Sequence, residues 1–166
     1  LETQNQALVM SNFDIVEHVR NIFELLEIRA AKANISLEFD KDYLFPIEVH
    51  ADEERIQQVV TNLIVNSIKY GKKKGTTEVR FEDVDEHTIT VHIADNGEGI
   101  AEEHLPRLFE RFYRVDKSGS RKDGGSGLGL SIVKHIVEAH KQEMFVESKV
   151  DIGSQFSFTL DKATYS

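Results

Sequence analysis

The stretch DEERIQQVVTNLIVNSIKY, residues 52–70, decides how this chain folds. Its apolar side chains recur every three or four residues, which predicts an amphipathic helix that ends at Gly71 and a lysine run. The side of the helix that we expect to pack on a sheet carries Ile56, Val60, Leu63 and Ile64. Within about 100° of arc, a polar stripe beside it carries Asn62, Asn66, Lys69 and Tyr70. Such a stripe suits a metal-bound phosphate and a stacked base, and a solvated helix face with a chance pair of asparagines is the plainer alternative.

The segments around this helix predict both further helices and strands. Helical periodicity covers 13–33, 102–112 and 128–140. Strand patterns cover 35–39, 78–84, 88–94, 144–148 and 155–160, and the last four form two hairpins. We therefore expect an α+β fold: a two-layer sandwich with a mixed, mostly antiparallel sheet and helices on one face. A glycine-rich, charged stretch at 116–126 is too polar to pack and is expected to be a mobile lid.

Composition limits the classes of function that remain. A chain of 166 residues with 40% hydrophobic content suits one ordered domain. The net charge of −9 argues against roles that need a globally basic surface, such as non-specific binding of nucleic acid or of an anionic membrane. The absence of cysteine suits a cytoplasmic location. The first residues given do not resemble a signal peptide, and the most apolar stretch, 59–68, is far shorter than the ~20 residues of a membrane span.

Asp95 is a candidate ligand-binding residue at the end of a predicted strand. It continues the alternating series Ile89, Val91 and Ile93, so it should point to the covered face of the sheet. A carboxylate there is costly unless a donor pairs with it, and the exocyclic amine of adenine is such a donor. Gly97 and Gly99 would let the backbone approach a flat ring. An Asp-Asn-Gly turn that merely ends a strand is the equal alternative.

A glycine-rich run precedes the helix predicted at 128–140 and follows a basic segment. Backbone N–H groups at such a helix N-terminus favour an anion, although neither the dinucleotide-binding fingerprint nor the P-loop pattern is present. The basic side chains before it are Arg107, Arg111, Arg114, Lys117, Arg121 and Lys122. Phe109 and Phe112 are expected to anchor the base of the lid, which leaves Arg114 as the candidate for a γ-phosphate.

In order along the chain, these motifs resemble those of the sensor histidine kinases. Residues 62–70 resemble the N box, 95–99 the G1 box, 108–114 the F box and 125–130 the G2 box. The resemblance covers roughly 13–160 and implies the Bergerat ATP-binding fold, shared with gyrase, chaperone and mismatch-repair ATPases. It implies a catalytic ATP-binding domain at 13–163, preceded at 1–12 by the stub of a dimerisation domain or a disordered lead-in.

The resemblance also implies ATP and Mg²⁺ as ligands, and it assigns the residues at the phosphates. It places Mg²⁺ on Asn66 and puts Asn62 and Lys69 near the phosphates, while Arg114 meets the γ-phosphate. Magnesium suits this set because it keeps waters and substrate oxygens and needs few protein ligands.

At the other end of the nucleotide, the resemblance puts Tyr70 beside adenine and Asp95 on its amine. The remaining residues expected around the nucleotide are Gly97, Gly99, Ile100, Gly125, Gly127, Leu128, Gly129 and Leu130.

Asn62 separates two chemistries within the superfamily. ATP-hydrolysing relatives carry a glutamate there as the base for water, and an amide cannot take that proton. The expected reaction is therefore transfer to a histidine, which is already a nucleophile. The acceptor histidine in these kinases is followed by an acidic residue, and that pattern is found at none of His18, His50, His87, His92, His104, His135 and His140.

The expected partners follow from the same resemblance. They are the kinase's own dimerisation domain and the receiver domain of a response regulator, with no nucleic acid. We expect the fragment to be monomeric, the full protein to be a homodimer, and the domain to be the cytoplasmic part of a membrane-anchored sensor. The alternatives are a serine kinase or ATPase of the same fold and a docking module that needs no nucleotide.

Overall fold

The computed structural model describes residues 7–111, 113 and 129–164. In these residues the α-helices are Ile15–Lys32 (α1), Glu53–Tyr70 (α2) and Gly129–Ala139 (α3), and a 3₁₀ helix covers Glu102–Arg107. The strands are Ser11–Asp14 (β1), Ile35–Phe39 (β2), Glu48–Ala51 (β3), Gly75–Asp83 (β4), Thr88–Asp95 (β5), Met144–Lys149 (β6) and Gly153–Lys162 (β7).

The strands form one sheet in the order β1-β3-β7-β5-β4-β2, with β6 also paired to β7. Among the described pairs only β2 and β4 run parallel, so the predicted mixed, mostly antiparallel sheet is confirmed. Both predicted hairpins, β4–β5 and β6–β7, are present.

The core lies between the helices and one face of this sheet. Val79, Ile93 and Phe156 sit opposite one another on β4, β5 and β7, and all three are buried. The apolar face predicted for α2 is fully enclosed: exposure is 0% at Ile56, Val60, Leu63 and Ile64. Burial of that face fixes which side of α2 its polar stripe can occupy.

Hydrogen bonds at Asp52 set the start of α2. Its carboxylate accepts from the N–H of Arg55 at 3.2 Å, which caps the helix, and from the N–H of Val9 at 2.9 Å. Its own N–H donates to Nε2 of buried His140 at 3.0 Å, just after α3. The segment that leads into the domain, α2 and the end of α3 are thus tied together at one residue.

Some element bounds differ from the sequence prediction. Ser11 and Asn12 are in β1 rather than in a loose lead-in, and α1 begins at Ile15 with Asp14 as its N-cap. The strand β3 was not predicted, because it is only four residues long and β1 and β7 supply its pairing. The lid expected at 116–126 lies outside the described residues. No helix in the described part of the chain is long and apolar enough to cross a membrane.

Candidate functional site

The polar stripe of α2 forms one wall of the candidate site. Asn62, Asn66 and Lys69 follow one another at helical spacing, and each is half-buried. Tyr70, the last residue of the helix, is half-buried too, and the Lys69 ammonium lies 6.0 Å from the centre of its ring. The structure therefore presents the two amides, the cation and the aromatic ring as one continuous surface.

The loop that follows β5, residues 95–100, passes directly against the end of α2. The N–H of Glu98 donates to the carbonyl of Tyr70 at 3.4 Å. A Cβ at Gly97 would lie 2.2 Å from that same carbonyl oxygen, closer than real contacts allow. Glycine at 97 thus lets the loop reach α2, and this brings Asp95 and the polar stripe together.

Gly99 has a similar local role on the other side of the loop. Its φ is +75°, and a Cβ there would lie 2.1 Å from the carbonyl oxygen of Lys149, the last residue of β6. From the sequence we expected Gly97 and Gly99 to let the backbone approach the flat ring of a ligand. In the structure the space at both Cβ positions is filled by protein backbone, so the packing of the loop already requires both glycines.

Asp95 is half-buried at the start of this loop. Its Oδ1 accepts the N–H of Gly97 at 2.9 Å. Burial raises the pKa of the Asp95 carboxyl and the charge of Glu98 adds to that, while the backbone N–H groups of Gly97 and Ser154 act against it. A carboxylate offers about four acceptor positions, so these two amides leave capacity for a donor on a ligand.

A buried pair of hydroxyls beneath Asp95 was missed by the sequence analysis. Ser67 Oγ and Thr77 Oγ1 are 2.6 Å apart, and both residues are buried. Thr77 is the direct cross-strand partner of Asp95, and Ser67 follows Asn66 on α2. Thr77 alternates with Val79 toward the covered face, and a buried hydroxyl needs a partner. The alternation of Thr77 with Val79 was therefore the sequence signal that could have identified the buried hydroxyl pair.

Hydrogen bonds to the β6–β7 hairpin hold the rest of the loop. The N–H of Ile100 donates to Ser148 Oγ at 2.7 Å, and the N–H of Asp151 donates to the Glu98 carbonyl at 2.8 Å. Ile100 is half-buried against the core. The loop that carries Asp95 is therefore anchored to the structure on both sides.

The third predicted component, the start of α3, is only partly described. Gly129 is exposed, and a Cβ placed on it would have no atom of another described element within 4 Å, while Leu130 is half-buried against the core. The predicted site residues Arg114, Gly125, Gly127 and Leu128 lie outside the described residues. So does Phe112, whereas Phe109 packs edge-on against the core residue Phe156, and its role as an anchor of the lid stays a prediction.

Among the basic residues that precede the glycine-rich run, Arg107 already has partners within the protein. It pairs with Glu110 at 3.0 Å, and its guanidinium lies 4.5 Å from the ring centre of Tyr113. Both Arg107 and its carboxylate partner are exposed, so this is a surface ion pair.

Magnesium fits the donors present on α2. In the part of the chain that the structure describes, no group of three or more His, Asp or Glu side chains is placed to hold a metal ion. Mg²⁺ does not require such a group, because it usually retains several waters and binds through one or two protein oxygens plus phosphates. The half-buried amide of Asn66 can supply one such oxygen.

Comparison with known proteins gives matches over most of the chain. Residues 51–164 match the family model described as "Histidine kinase-, DNA gyrase B-, and HSP90-like ATPase". The sensor histidine kinase YkoH of Bacillus subtilis is 41% identical over 156 residues, which cover 91% of this chain and 32% of that protein. The sensor histidine kinase CusS of Escherichia coli K12 is 40% identical over 147 residues, covering 89% and 30%. The chain thus spans about a third of the length of these curated relatives.

Solved structures give the same match. The catalytic domain of histidine kinase ThkA superposes with a TM-score of 0.77 at 28% identity, covering 93% of this chain and 97% of that one. Full-length ShkA in complex with AMPPNP superposes with a TM-score of 0.83 at 27% identity, covering 97% of this chain and 33% of that one.

Proposed function

The chain belongs to the histidine kinase-, DNA gyrase B- and HSP90-like ATPase family, as the ATP-binding domain of a sensor histidine kinase, and from this we propose a specific reaction. The domain binds Mg·ATP between α2 and the loop 95–100. It presents the γ-phosphate to a histidine on a separate dimerisation domain of the same kinase. That histidine then passes the phosphoryl group to an aspartate of a response regulator.

Asp95 carries the proposal. It is a half-buried carboxylate in a loop that is hydrogen-bonded to Tyr70 and to the β6–β7 hairpin, and two backbone N–H groups use only part of its acceptor capacity. Burial makes its ionised form costly, so a neutral donor such as the adenine amine suits the remaining positions. Adenine recognition then comes from the hydrogen bond to Asp95 and contact with Tyr70.

We assign the polar stripe of α2 to the binding of the phosphate end of the nucleotide. Asn66 holds Mg²⁺, which when bound neutralises charge on the phosphate oxygens. Asn62 and Lys69 donate to those oxygens from the adjacent turns of the helix. Arg114 at the γ-phosphate, and the backbone of Gly125, Gly127, Leu128, Gly129 and Leu130 around the triphosphate, complete the assignment on the family resemblance alone.

The proposed step is phosphoryl transfer rather than hydrolysis. A nitrogen of the acceptor imidazole forms a bond to the γ-phosphorus as the bond to the bridging oxygen breaks, and ADP leaves. The imidazole needs no added base to act as a nucleophile. Asn62 cannot accept a proton from water, so α2 does not activate the competing hydrolysis.

The proposal extends to partners and location. The kinase's own dimerisation domain supplies the histidine, and the receiver domain of a response regulator takes the phosphoryl group. A solved structure of the similar histidine kinase ThkA is a complex with the response regulator protein TrrA. We place the domain in the cytoplasm as part of a membrane-anchored homodimer, and the isolated fragment is monomeric.

The adenine assignment is tested with Asp95→Asn. The amide oxygen can still accept from Gly97, but the amide nitrogen is a donor that faces the donor of adenine. We expect Mg·ATP affinity to fall by about 100-fold or more, about 2.7 kcal/mol, by isothermal titration calorimetry. Because burial already disfavours the charged carboxyl, stability to urea should be unchanged or slightly higher.

Asp151→Asn is the matched control. It removes the same charge from an exposed residue of the adjacent turn, where φ is +68° and asparagine fits. Its affinity should equal or slightly exceed that of the parent chain, because the charge it loses is an acidic one near the site. Unchanged affinity in Asp95→Asn would refute the adenine assignment.

A further inference from the structure

A concentration of positive charge lies beside the candidate site, in a chain whose net charge is −9. At one end of the molecule α1 and α2 terminate, and the parallel strands β2 and β4 begin. We call this surface the basic end; its exposed cationic residues are Arg29, Lys32, Lys72, Lys73 and Lys74. None of them takes part in the ion pairs found among the described residues.

The lysine loop is held in place by its backbone. The N–H of Lys74 donates to the carbonyl of Asn34 at 2.8 Å, next to the end of α1. The N–H of Gly75 donates to the carbonyl of Lys72 at 2.8 Å, which closes a tight turn. The three ammonium groups are therefore displayed from a fixed turn.

This turn abuts the loop that carries Asp95. The N–H of Thr76 donates to Asn96 Oδ1 at 2.9 Å. A Cβ at Gly75 would lie 2.7 Å from Asn96 Oδ1 and 3.2 Å from Cγ of Lys72. The stem of Lys72 thus lies beside the residue that follows Asp95, and Lys72 itself is two residues beyond Tyr70.

Three acidic residues lie at or next to the loop 95–100, and their charges oppose the approach of an anion. Asp95 is in the site, and a backbone hydrogen bond joins the exposed residues Glu98 and Asp151. A nucleoside triphosphate that approaches this edge is repelled by the negative charge of these groups and of the chain as a whole. Local cationic charge at the edge of a cleft can raise association rates about 10- to 1,000-fold.

We propose that Lys72 and Lys73, supported by the rest of the basic end, speed the capture of Mg·ATP by electrostatic attraction, without contacting the bound nucleotide. This inference rests on the proposed function. The ligand that we infer for the basic end is the anionic nucleotide rather than an acidic protein surface.

The test compares two doubly substituted chains of equal charge. Lys72→Gln with Lys73→Gln removes two charges at the basic end. Lys41→Gln with Lys141→Gln removes two exposed charges from other loops, so both variants go from −9 to −11. Binding of a fluorescent ATP analogue with Mg²⁺ is followed by stopped flow at several salt concentrations.

At ~0.02 M salt we expect the association rate constant of the Lys72/Lys73 variant to be about three- to tenfold lower than that of the control variant. The dissociation rate constant should change by less than about twofold, because no bound contact is lost. The difference should disappear by ~0.5 M salt, where the Debye length is only about 4 Å.

Equal association rates in the two variants would overturn the inference, and would leave the basic end as a surface for an acidic protein partner. A change confined to the dissociation rate would also overturn it, because the lysines would then be contact residues. A parent chain that does not bind the analogue would refute the proposed function itself, which separates the two failures.

Discussion

His18 is a buried histidine in α1 whose environment disfavours its charged form. Its Nδ1 lies 3.6 Å from a Glu53 carboxylate oxygen, and its Nε2 has no hydrogen-bond partner within the described residues. Burial lowers the pKa of His18 below its usual 6.5, and the hydrogen bond and charge of Glu53 only partly oppose this. The folded state therefore holds this ring neutral.

This predicts a pH-dependent loss of stability. A histidine whose folded pKa is depressed contributes fully above its unfolded pKa, and that contribution falls as pH drops below about 6.5, because the unfolded chain takes up the proton first. We expect His18→Phe, which keeps a ring against Phe13, to reduce the decline in unfolding free energy between pH 6.5 and 5.5. Urea denaturation of both chains at a series of pH values measures this decline in unfolding free energy.

His135→Phe, a change at an exposed residue of α3, is the control and should keep the decline of the parent chain. If His18→Phe declines as steeply as the parent, the neutral state assigned to His18 is wrong.

At the scale of elements, the site depends on how closely the loop 95–100 approaches α2. Two glycines of the predicted motifs differ sharply in this respect. A Cβ at Gly97 would collide with the carbonyl of Tyr70, whereas a Cβ at Gly129 would meet no atom within 4 Å among the described residues outside its own helix. One glycine is required by the packing of two elements, and the other is not.

The corresponding prediction compares Gly97→Ala with Gly129→Ala. Gly97→Ala forces loop and helix apart, and we expect it to lower the free energy of unfolding by about 2–3 kcal/mol. Gly129→Ala places a better helix former in α3 and should be neutral or stabilising by up to about 1 kcal/mol. Urea denaturation without nucleotide measures both, and a Gly97→Ala chain as stable as the parent would contradict the packing role.

For the whole molecule, we propose that this domain binds ATP and that a separate dimerisation domain carries the acceptor histidine. The domain alone is then expected not to phosphorylate itself. The site is built by α2 and the loop 95–100, which are fixed to one sheet. His18, His92 and His140 are buried within the same structure. Motion of the domain as a rigid body would not change the distance between these histidines and a phosphate held at the proposed site.

Incubation of the isolated chain with γ-labelled ATP should therefore give no labelled protein. Binding of a fluorescent ATP analogue to the same sample is the control that nucleotide is captured. Label on any of the seven histidines, located by mass spectrometry, would contradict the prediction.

Local patterns in the sequence determined α2, the two hairpins and the placement of Asp95. The apolar face of α2 repeats at the helical period, and the strands of both hairpins alternate at a period of two, so burial of one face follows from the sequence alone. The polar stripe at Asn62, Asn66, Lys69 and Tyr70 follows from that burial. Its ligands remain a prediction, because no ligand contact tests them.

Only the tertiary structure decided the edges of the sheet and the interior of the site. The strands β1 and β3 are four residues each, too short to show a period, and they form because they pair with each other and β3 pairs with β7. The Ser67–Thr77 pair and the contact between Gly97 and Tyr70 join residues from separate elements. A local pattern specifies which face of an element is buried, but not which element packs against it.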